Sequence, residues 1–144
     1  MFGIESIMST NLVTIPRTSS LAEARSLMHE NRIHHLPVVD QNETLVGLLT
    51  LTDILAASDS RLRDDDSRIH AEDICIDEVM VTDLATVDEH ASVRQAAIFL
   101  EKHHIGCLPV VVDGKLRGII TDTDFVGVAI NLLEQLEDSE PLAM

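Results

Sequence analysis

Hydrophobic and polar positions along the chain follow two periodicities, and each predicts a type of secondary structure. Apolar residues recur at helical spacing in residues 21–28 and 93–100. A serine precedes each segment and is followed three positions later by Glu or Gln, which is the spacing of a capping box and predicts where each helix begins. The serine pairs are Ser20 with Glu23 and Ser92 with Gln95, and the apolar faces are Leu21, Ala24 and Met28, then Val93, Ala96, Ala97 and Leu100.

Short runs of β-branched and apolar residues predict the strands. Residues 36–39 and 108–111 both read Leu-Pro-Val-Val, with proline near the strand start, where its missing N–H is tolerated. Asp113-Gly114 predicts a tight hairpin turn, whereas the first half has a longer loop at 40–44. An extended piece precedes each helix, and a second helix follows near Thr52 and near Thr123.

This order of elements, β-α-β-β-α, occurs twice because the chain is an internal repeat. With a shift of 72 positions residues 4–39 lie on residues 76–111, and twelve of the 36 pairs are identical. The identical pairs start at positions 4, 8, 10, 12, 14, 20, 24, 33, 36, 37, 38 and 39. We predict repeat 1 at 1–57, an acidic charged linker at 58–73, repeat 2 at 74–137 and a flexible tail at 138–144.

Neither repeat is large enough to bury its own sheet face alone. We therefore predict an α/β (α+β) fold in which two β-α-β-β-α units pack sheet to sheet with pseudo-two-fold symmetry. Packing of this kind creates two related clefts at the seam between the units.

Composition and charge narrow the range of partners. The 144 residues are 45% hydrophobic, which is enough for a packed core, and the formal net charge is −15. Nucleic acid binding and attraction to an anionic membrane both need a basic surface, so neither is expected. An anionic ligand would need local hydrogen-bond donors that act against the field of the whole chain.

The remaining chemistry indicates a non-catalytic cytoplasmic protein. The two cysteines form no CxxC pair and no metal-ligand spacing, and no signal peptide or membrane span is evident. Motifs of activated serine, Walker-type loops and HExxH zinc sites are missing from the sequence, so we expect no enzyme activity, no metal and no catalytic cofactor. Cys107 could act as a nucleophile, but its place at a strand start favours a small buried side chain.

Residues 47–53 and 118–124 both match Gly-x-x-Thr-x-Thr-Asp, where a strand passes into a helix. Glycine lets a ligand or a neighbouring backbone come close, and threonine hydroxyls with helix N-terminal N–H groups can bind an anion. Asp53 and Asp124 fall in the first helical turn and could accept bonds from two vicinal hydroxyls. Threonine before aspartate is also an ordinary helix cap, and a repeat could have inherited such a cap twice.

With these motifs the sequence resembles a tandem cystathionine-β-synthase (CBS) domain pair, or Bateman module, over residues 4–136. The resemblance also rests on residues 7–10 and 79–82 and on both Pro-Val strands. It implies the repeated fold predicted above and an adenosine-containing ligand between the repeats. AMP, ADP and ATP are the ligands we expect first; S-adenosylmethionine and NADH are alternatives.

The resemblance also implies roles for individual residues. The aspartates would bind ribose and the neighbouring threonines would face phosphate, while residues 12–14 and 84–86 would meet the adenine edge between apolar side chains. The residues so assigned are Thr14, Ile33, His34, His35, Pro37, Thr50, Thr52, Asp53, Thr86, Ile105, Pro109, Thr121, Thr123 and Asp124.

Residues 33–37, Ile-His-His-Leu-Pro, resemble a family stretch Ile-His-Arg-Leu-Pro whose basic groups touch phosphate, with histidine in place of arginine. The sequence leaves open phosphate contact, a structural or surface role, and metal binding, for which adjacent histidines have poor spacing. It also leaves open which further basic residue faces a cleft; the candidates are Arg17, Arg32, Lys102 and Arg117.

The sequence therefore predicts a standalone regulatory protein that senses an adenine nucleotide, forms a homodimer and acts on an unidentified protein partner. The alternative is an interaction or oligomerisation module whose clefts hold no physiological nucleotide.

Overall fold

The computed structural model describes residues 3–62 and 74–139 and arranges them as two copies of one unit. The first copy contains β1 (Ile15–Pro16), α1 (Leu21–Asn31), β2 (His35–Val39), β3 (Leu45–Thr50) and α2 (Leu51–Leu62). The second contains α3 (Val93–His103), β4 (Cys107–Val112), β5 (Lys115–Thr121) and α4 (Asp122–Ser139). A 3-10 turn precedes each copy, at Ile4–Ser6 and at Ile76–Glu78.

Each unit is built on an antiparallel hairpin with a parallel edge. In the first unit β1 pairs parallel to β2, which pairs antiparallel to β3. In the second unit β4 pairs with β5, and a parallel bridge from Val87 to Val110 takes the place of β1. The predicted Asp113-Gly114 turn is present, with φ of 53° and 79° at its two residues. The predicted α/β class and the repeated β-α-β-β-α order are confirmed.

The two central helices begin at the predicted serines but are capped differently. Ser92 and Gln95 form a complete capping box, in which Gln95 N–H donates to Ser92 Oγ (3.0 Å) and Ser92 N–H donates to Gln95 Oε1 (3.1 Å). In α1 the structure shows one half of the box, the bond from Glu23 N–H to Ser20 Oγ at 3.2 Å. The reciprocal box predicted for Ser20 and Glu23 is therefore wrong, and Ser20 lies instead in a bridge with Cys75 from the other repeat.

The hydrophobic core consists of two clusters, and each draws residues from both repeats. The first is built on α1, β2 and β3 of repeat 1 but also contains Ile74, Ile76 and Met80. The second is built on repeat 2 but contains Ile4, with Met8 packed against it. Burial of Ile4 and Ile76 is complete, so the N-terminal turn of each repeat is part of the core of the other repeat.

Backbone hydrogen bonds fix this exchange of segments. Ser9 and Ile119 donate to each other's carbonyls, at 2.9 and 3.0 Å. Leu48 and Val81 form the equivalent pair, at 3.0 and 2.9 Å. The exchange therefore obeys the pseudo-symmetry of the repeats, since Ser9 and Val81 are related by the 72-residue shift.

Two methionines pack directly on the glycines of the Gly-x-x-Thr-x-Thr-Asp motif. A Cβ added at Gly118 would lie 2.6 Å from Met8 Sδ and 3.2 Å from the Ser9 carbonyl oxygen. A Cβ added at Gly47 would lie 2.5 Å from Met80 Sδ. The close approach expected at these glycines is thus made by the other repeat, and nothing larger than hydrogen fits there.

Helical residues extend into the segments predicted as linker and tail. Helix α2 continues to Leu62, so the first five residues of the 58–73 segment are helical. Helix α4 continues to Ser139, so the first two residues of the segment predicted as a tail are helical. Residues 63–73 and 140–144, including the acidic run, lie outside the described residues. Across the described ranges, none of the helices combines the length and apolar character needed to cross a bilayer.

We predict that Gly118→Ala lowers the free energy of unfolding by about 1–3 kcal/mol, because the new methyl group overpacks against Met8 and a backbone carbonyl. The measurement is urea unfolding followed by circular dichroism. Gly127→Ala in α4 is the matched control, since its added Cβ meets no atom within 4 Å and alanine favours the helix. Equal stability of the two variants would contradict the packing described here.

Candidate functional site

Two cavities lie at the seam between the repeats. Cleft 1, of about 330 Å³, is lined by Ser9, Asn11, Leu12, Val13, Arg32, Ile33, His34, His35, Pro37, Ile119, Thr121, Asp122 and Thr123. Cleft 2, of about 640 Å³, is lined by His35, Leu48, Thr50, Thr52, Asp53, Val81, Asp83, Leu84, Ala85, Phe99, His103, His104, Ile105, Gly106 and Cys107.

The repeat relates most of the two linings to each other. Each cleft takes its helix N-terminus and threonines from one repeat and its extended N-terminal segment from the other side of the seam. The related pairs, written cleft 1 first, are Asn11 and Asp83, Arg32 and His104, Ile33 and Ile105, Thr121 and Thr50, and Thr123 and Thr52. The clefts are therefore two versions of one site with different side chains.

Most of the residues assigned from the sequence lie in these clefts. Ile33, His34, His35, Pro37, Thr121 and Thr123 line cleft 1. Thr50, Thr52, Asp53 and Ile105 line cleft 2 together with His35.

Four assigned residues lie elsewhere. Pro109 is buried in β4, and Thr14 lines a separate cavity beside Pro16 and Asp40. Thr86 is exposed and lines neither cleft. Asp124 is turned back toward the end of β5 and is missing from the lining of cleft 1.

The two Thr-Asp motifs cap their helices in different ways. At α2 the Thr50 hydroxyl accepts the Asp53 N–H at 3.1 Å, and Asp53 lines cleft 2. At α4 the Asp124 Oδ2 atom accepts the Thr121 N–H at 2.9 Å, and the Thr121 hydroxyl lies 3.4 Å from the same oxygen. Capping is thus a real use of the motif, as the sequence allowed, and it coexists with a cleft position for Asp53.

His35 lies in the wall that the two clefts share. Its Nε2 atom and the Asp122 Oδ2 atom are each 3.4 Å from the position of a Cβ built at Gly106. Burial lowers the pKa of His35, while the charge of Asp122 acts in the opposite direction and that of His34 reinforces the lowering. The imidazole is therefore held mainly in its neutral form, in which one ring nitrogen donates and the other accepts.

The environment of Cys107 is unsuited to a nucleophile. Burial, reinforced by the charges of Asp122 and Asp124, raises the pKa of its thiol to about 12. A reactive cysteine needs the opposite shift, toward the thiolate. The expectation that Cys107 is a small buried side chain agrees with its burial in β4.

One of the four basic residues that the sequence left open lines a cleft, and so do two aspartates that the sequence analysis did not assign to the site. Arg32 lines cleft 1, whereas Arg17, Lys102 and Arg117 line neither cleft. Asp122 and Asp83 also line the clefts, and no local motif marks them. The signal that could have found Asp83 was its alignment with Asn11 under the repeat shift.

Paired β-α-β-β-α units with two clefts at their seam define a class of tandem domain pairs. The CBS domain family matches residues 4–60 and 76–131, and the chain belongs to that family.

Solved structures of other CBS pairs are similar over nearly the whole chain. A Vibrio cholerae protein provisionally assigned to acetoin utilization (AcuB) is 42% identical, with a TM-score of 0.82 and coverage of 98% of this chain and 99% of that one. The CBS domain pair of protein MJ0100, in complex with 5′-methylthioadenosine and S-adenosyl-L-methionine, is 28% identical (TM-score 0.80; 92% and 98%). CBSX2 in complex with AMP is 29% identical (TM-score 0.78; 92% and 98%).

Some relatives are much longer than this chain. A homoserine O-acetyltransferase of Methanocorpusculum labreanum is 37% identical over 82% of this chain, but the matched part is 22% of that enzyme.

Proposed function

We propose that the protein is a non-catalytic regulatory module that binds adenosine-containing ligands in clefts 1 and 2. The observation that carries the proposal is that two related clefts each combine threonines at a helix N-terminus with an apolar wall. Proteins of the same fold are in complex with AMP, or with 5′-methylthioadenosine and S-adenosyl-L-methionine. The adenine base and its ribose ring, with both ring hydroxyls, are the part that these ligands share.

The groups in cleft 2 match the parts of adenosine. Asp53, in the first turn of α2, offers a carboxylate that can accept both ribose hydroxyls. Thr50 and Thr52 flank it at the same helix N-terminus and offer hydroxyl groups to the sugar side of the ligand. Ile105 and Leu84 supply apolar surface for an adenine ring. Ribose recognition by Asp53 is the central part of this assignment.

The second candidate is an interaction module whose clefts hold no physiological nucleotide. The exposed apolar residues of α4, described below, favour association with another protein surface whatever the clefts contain. The two functions are compatible, and ligand binding separates them.

The free cysteines are in keeping with a reducing cytoplasm, where we place the protein.

We predict that Asp53→Ala weakens adenosine binding to cleft 2 by about 1.5–3 kcal/mol, the range for a hydrogen bond to a charged group. Isothermal titration calorimetry measures the loss. 2′,3′-Dideoxyadenosine should lose a similar amount against the parent protein and little more against the variant.

Asp138→Ala is the matched control, because Asp138 is an exposed carboxylate near the far end of α4. It should bind adenosine as the parent does. The ribose assignment is refuted if Asp53→Ala and Asp138→Ala bind adenosine equally well.

We also propose that α4 forms the contact between two copies of the chain. Helix α4 contains no buried residue, and Val126, Leu133 and Leu136 are 57%, 57% and 61% exposed. Leu55, which the repeat relates to Val126, is 45% exposed on α2. Because the same helix position is apolar and uncovered in both repeats, a second copy with the same pseudo-symmetry is the occupant that fits this surface.

We predict a homodimer in light scattering at micromolar concentration, and a shift toward the 15.9 kDa monomer in Leu133→Glu, which places a charge in the apolar face. Asn131→Glu is the control. Residue 131 is two positions before Leu133, which at about 3.6 residues per turn places it on the opposite face of α4. A parent protein that is monomeric with ligand present, or equal dissociation in both variants, would contradict an α4 interface.

A further inference from the structure

We propose that the two clefts take adenosyl ligands of different charge: cleft 1 an adenosine 5′-phosphate, and cleft 2 an adenosyl compound without a phosphate. The proposal rests on the proposed function, because it assigns a ligand class to each of the same two clefts. It follows from comparing the clefts position by position along the internal repeat.

The first difference is the residue that ends the central helix. Arg32 ends α1 in the left-handed conformation, with φ of 55°, and lines cleft 1. Its repeat partner His104 ends α3 in the same conformation, with φ of 52°, and lines cleft 2. The backbone has the same conformation at both residues, but arginine is always charged and its planar guanidinium can bind phosphate through two hydrogen bonds, which a histidine ring cannot do.

The second difference lies on the extended segment that crosses the seam. Asn11 lines cleft 1, and its repeat partner Asp83 lines cleft 2. The amide can donate a hydrogen bond to phosphate, whereas an ionised carboxylate can only accept one. Cleft 2 therefore has two aspartates, Asp53 and Asp83, and its lining includes no lysine or arginine.

The carboxylates of the two clefts also differ in their hydrogen bonding. In cleft 1, Asp122 Oδ1 accepts a hydrogen bond from the Thr123 N–H at 2.9 Å. In cleft 2, no described residue donates a hydrogen bond to the carboxylate of Asp53 or Asp83. A phosphate in cleft 2 would be repelled by the carboxylates of Asp53 and Asp83. A ligand that presents hydroxyl groups or a cationic centre would be favoured there.

The net charge of −15 increases the importance of these local groups. The field of the whole chain opposes entry of an anion into either cleft, so a fixed cation in the lining decides whether a phosphate binds. Arg32 supplies that cation to cleft 1, whereas the basic side chains that line cleft 2 are histidines, His35, His103 and His104.

The test is calorimetry on the full chain at pH 8.0 and low salt, with AMP and with uncharged 5′-methylthioadenosine as probes. We expect one AMP per chain, with any second site at least tenfold weaker, and binding of 5′-methylthioadenosine to cleft 2. Arg32→His should weaken AMP by about tenfold or more, the loss of a charge-assisted bond, and should affect 5′-methylthioadenosine much less. Arg25→His, at an exposed position of α1 outside both clefts, is the control for the lost charge and should bind AMP as the parent does.

A second experiment replaces two residues of cleft 2 with their repeat partners from cleft 1. Asp83→Asn combined with His104→Arg should create a second AMP site of comparable affinity. Two equal AMP sites in the parent, or an unchanged AMP affinity in Arg32→His, would overturn the assignment of charge and leave the adenosyl function standing. Binding of neither probe would overturn the proposed function itself. If the double variant of Asp83 and His104 does not fold, the AMP affinity of Arg32→His still tests the assignment of charge.

Discussion

The structure depends on a reciprocal contact in which each repeat places a methionine on a glycine of the other. Met8 fills the space above Gly118, and Met80 fills the space above Gly47. Neither glycine could carry a side chain without displacing its methionine, and buried apolar residues next to each methionine complete the opposite core. Because each half contributes part of the other's core, the two halves are held in one relative position, and the clefts between them have defined walls.

This constraint explains why the candidate sites lie at the seam. The extended residues that follow Met8 line cleft 1, and those that follow Met80 line cleft 2. The strand that contains each glycine ends at the threonine that precedes α4 or α2. One interaction thus positions both the extended wall and the helix N-terminus of each cleft, and side-chain substitutions can change what a cleft binds without changing its frame.

Local sequence patterns were sufficient to predict the helices, strands and hairpin turn. They did not predict contacts in which the partner of a residue lies in the other repeat. The Asp113-Gly114 turn follows from the dihedral preferences of two residues, and the buried faces of α1 and α3 follow from helical spacing. The repeat shift pairs Met8 with Met80 but carries no information on which core each one enters. The hydrogen bond from the Thr121 N–H to the Asp124 carboxylate could not be predicted from the sequence either, since a carboxylate in a first helical turn can cap the backbone or face a cleft.

The central claim is that exchange of the N-terminal segments holds the two repeats, and therefore the clefts, in place. Native-state hydrogen exchange at the amides of Ser9, Ile119, Leu48 and Val81 tests it most directly, because these four groups donate hydrogen bonds that join the N-terminal segment of one repeat to a strand of the other. The account predicts that all four exchange only through global unfolding, with the same free energy as the amides that join β4 to β5. Exchange of the four amides by a local opening of much lower free energy would contradict it.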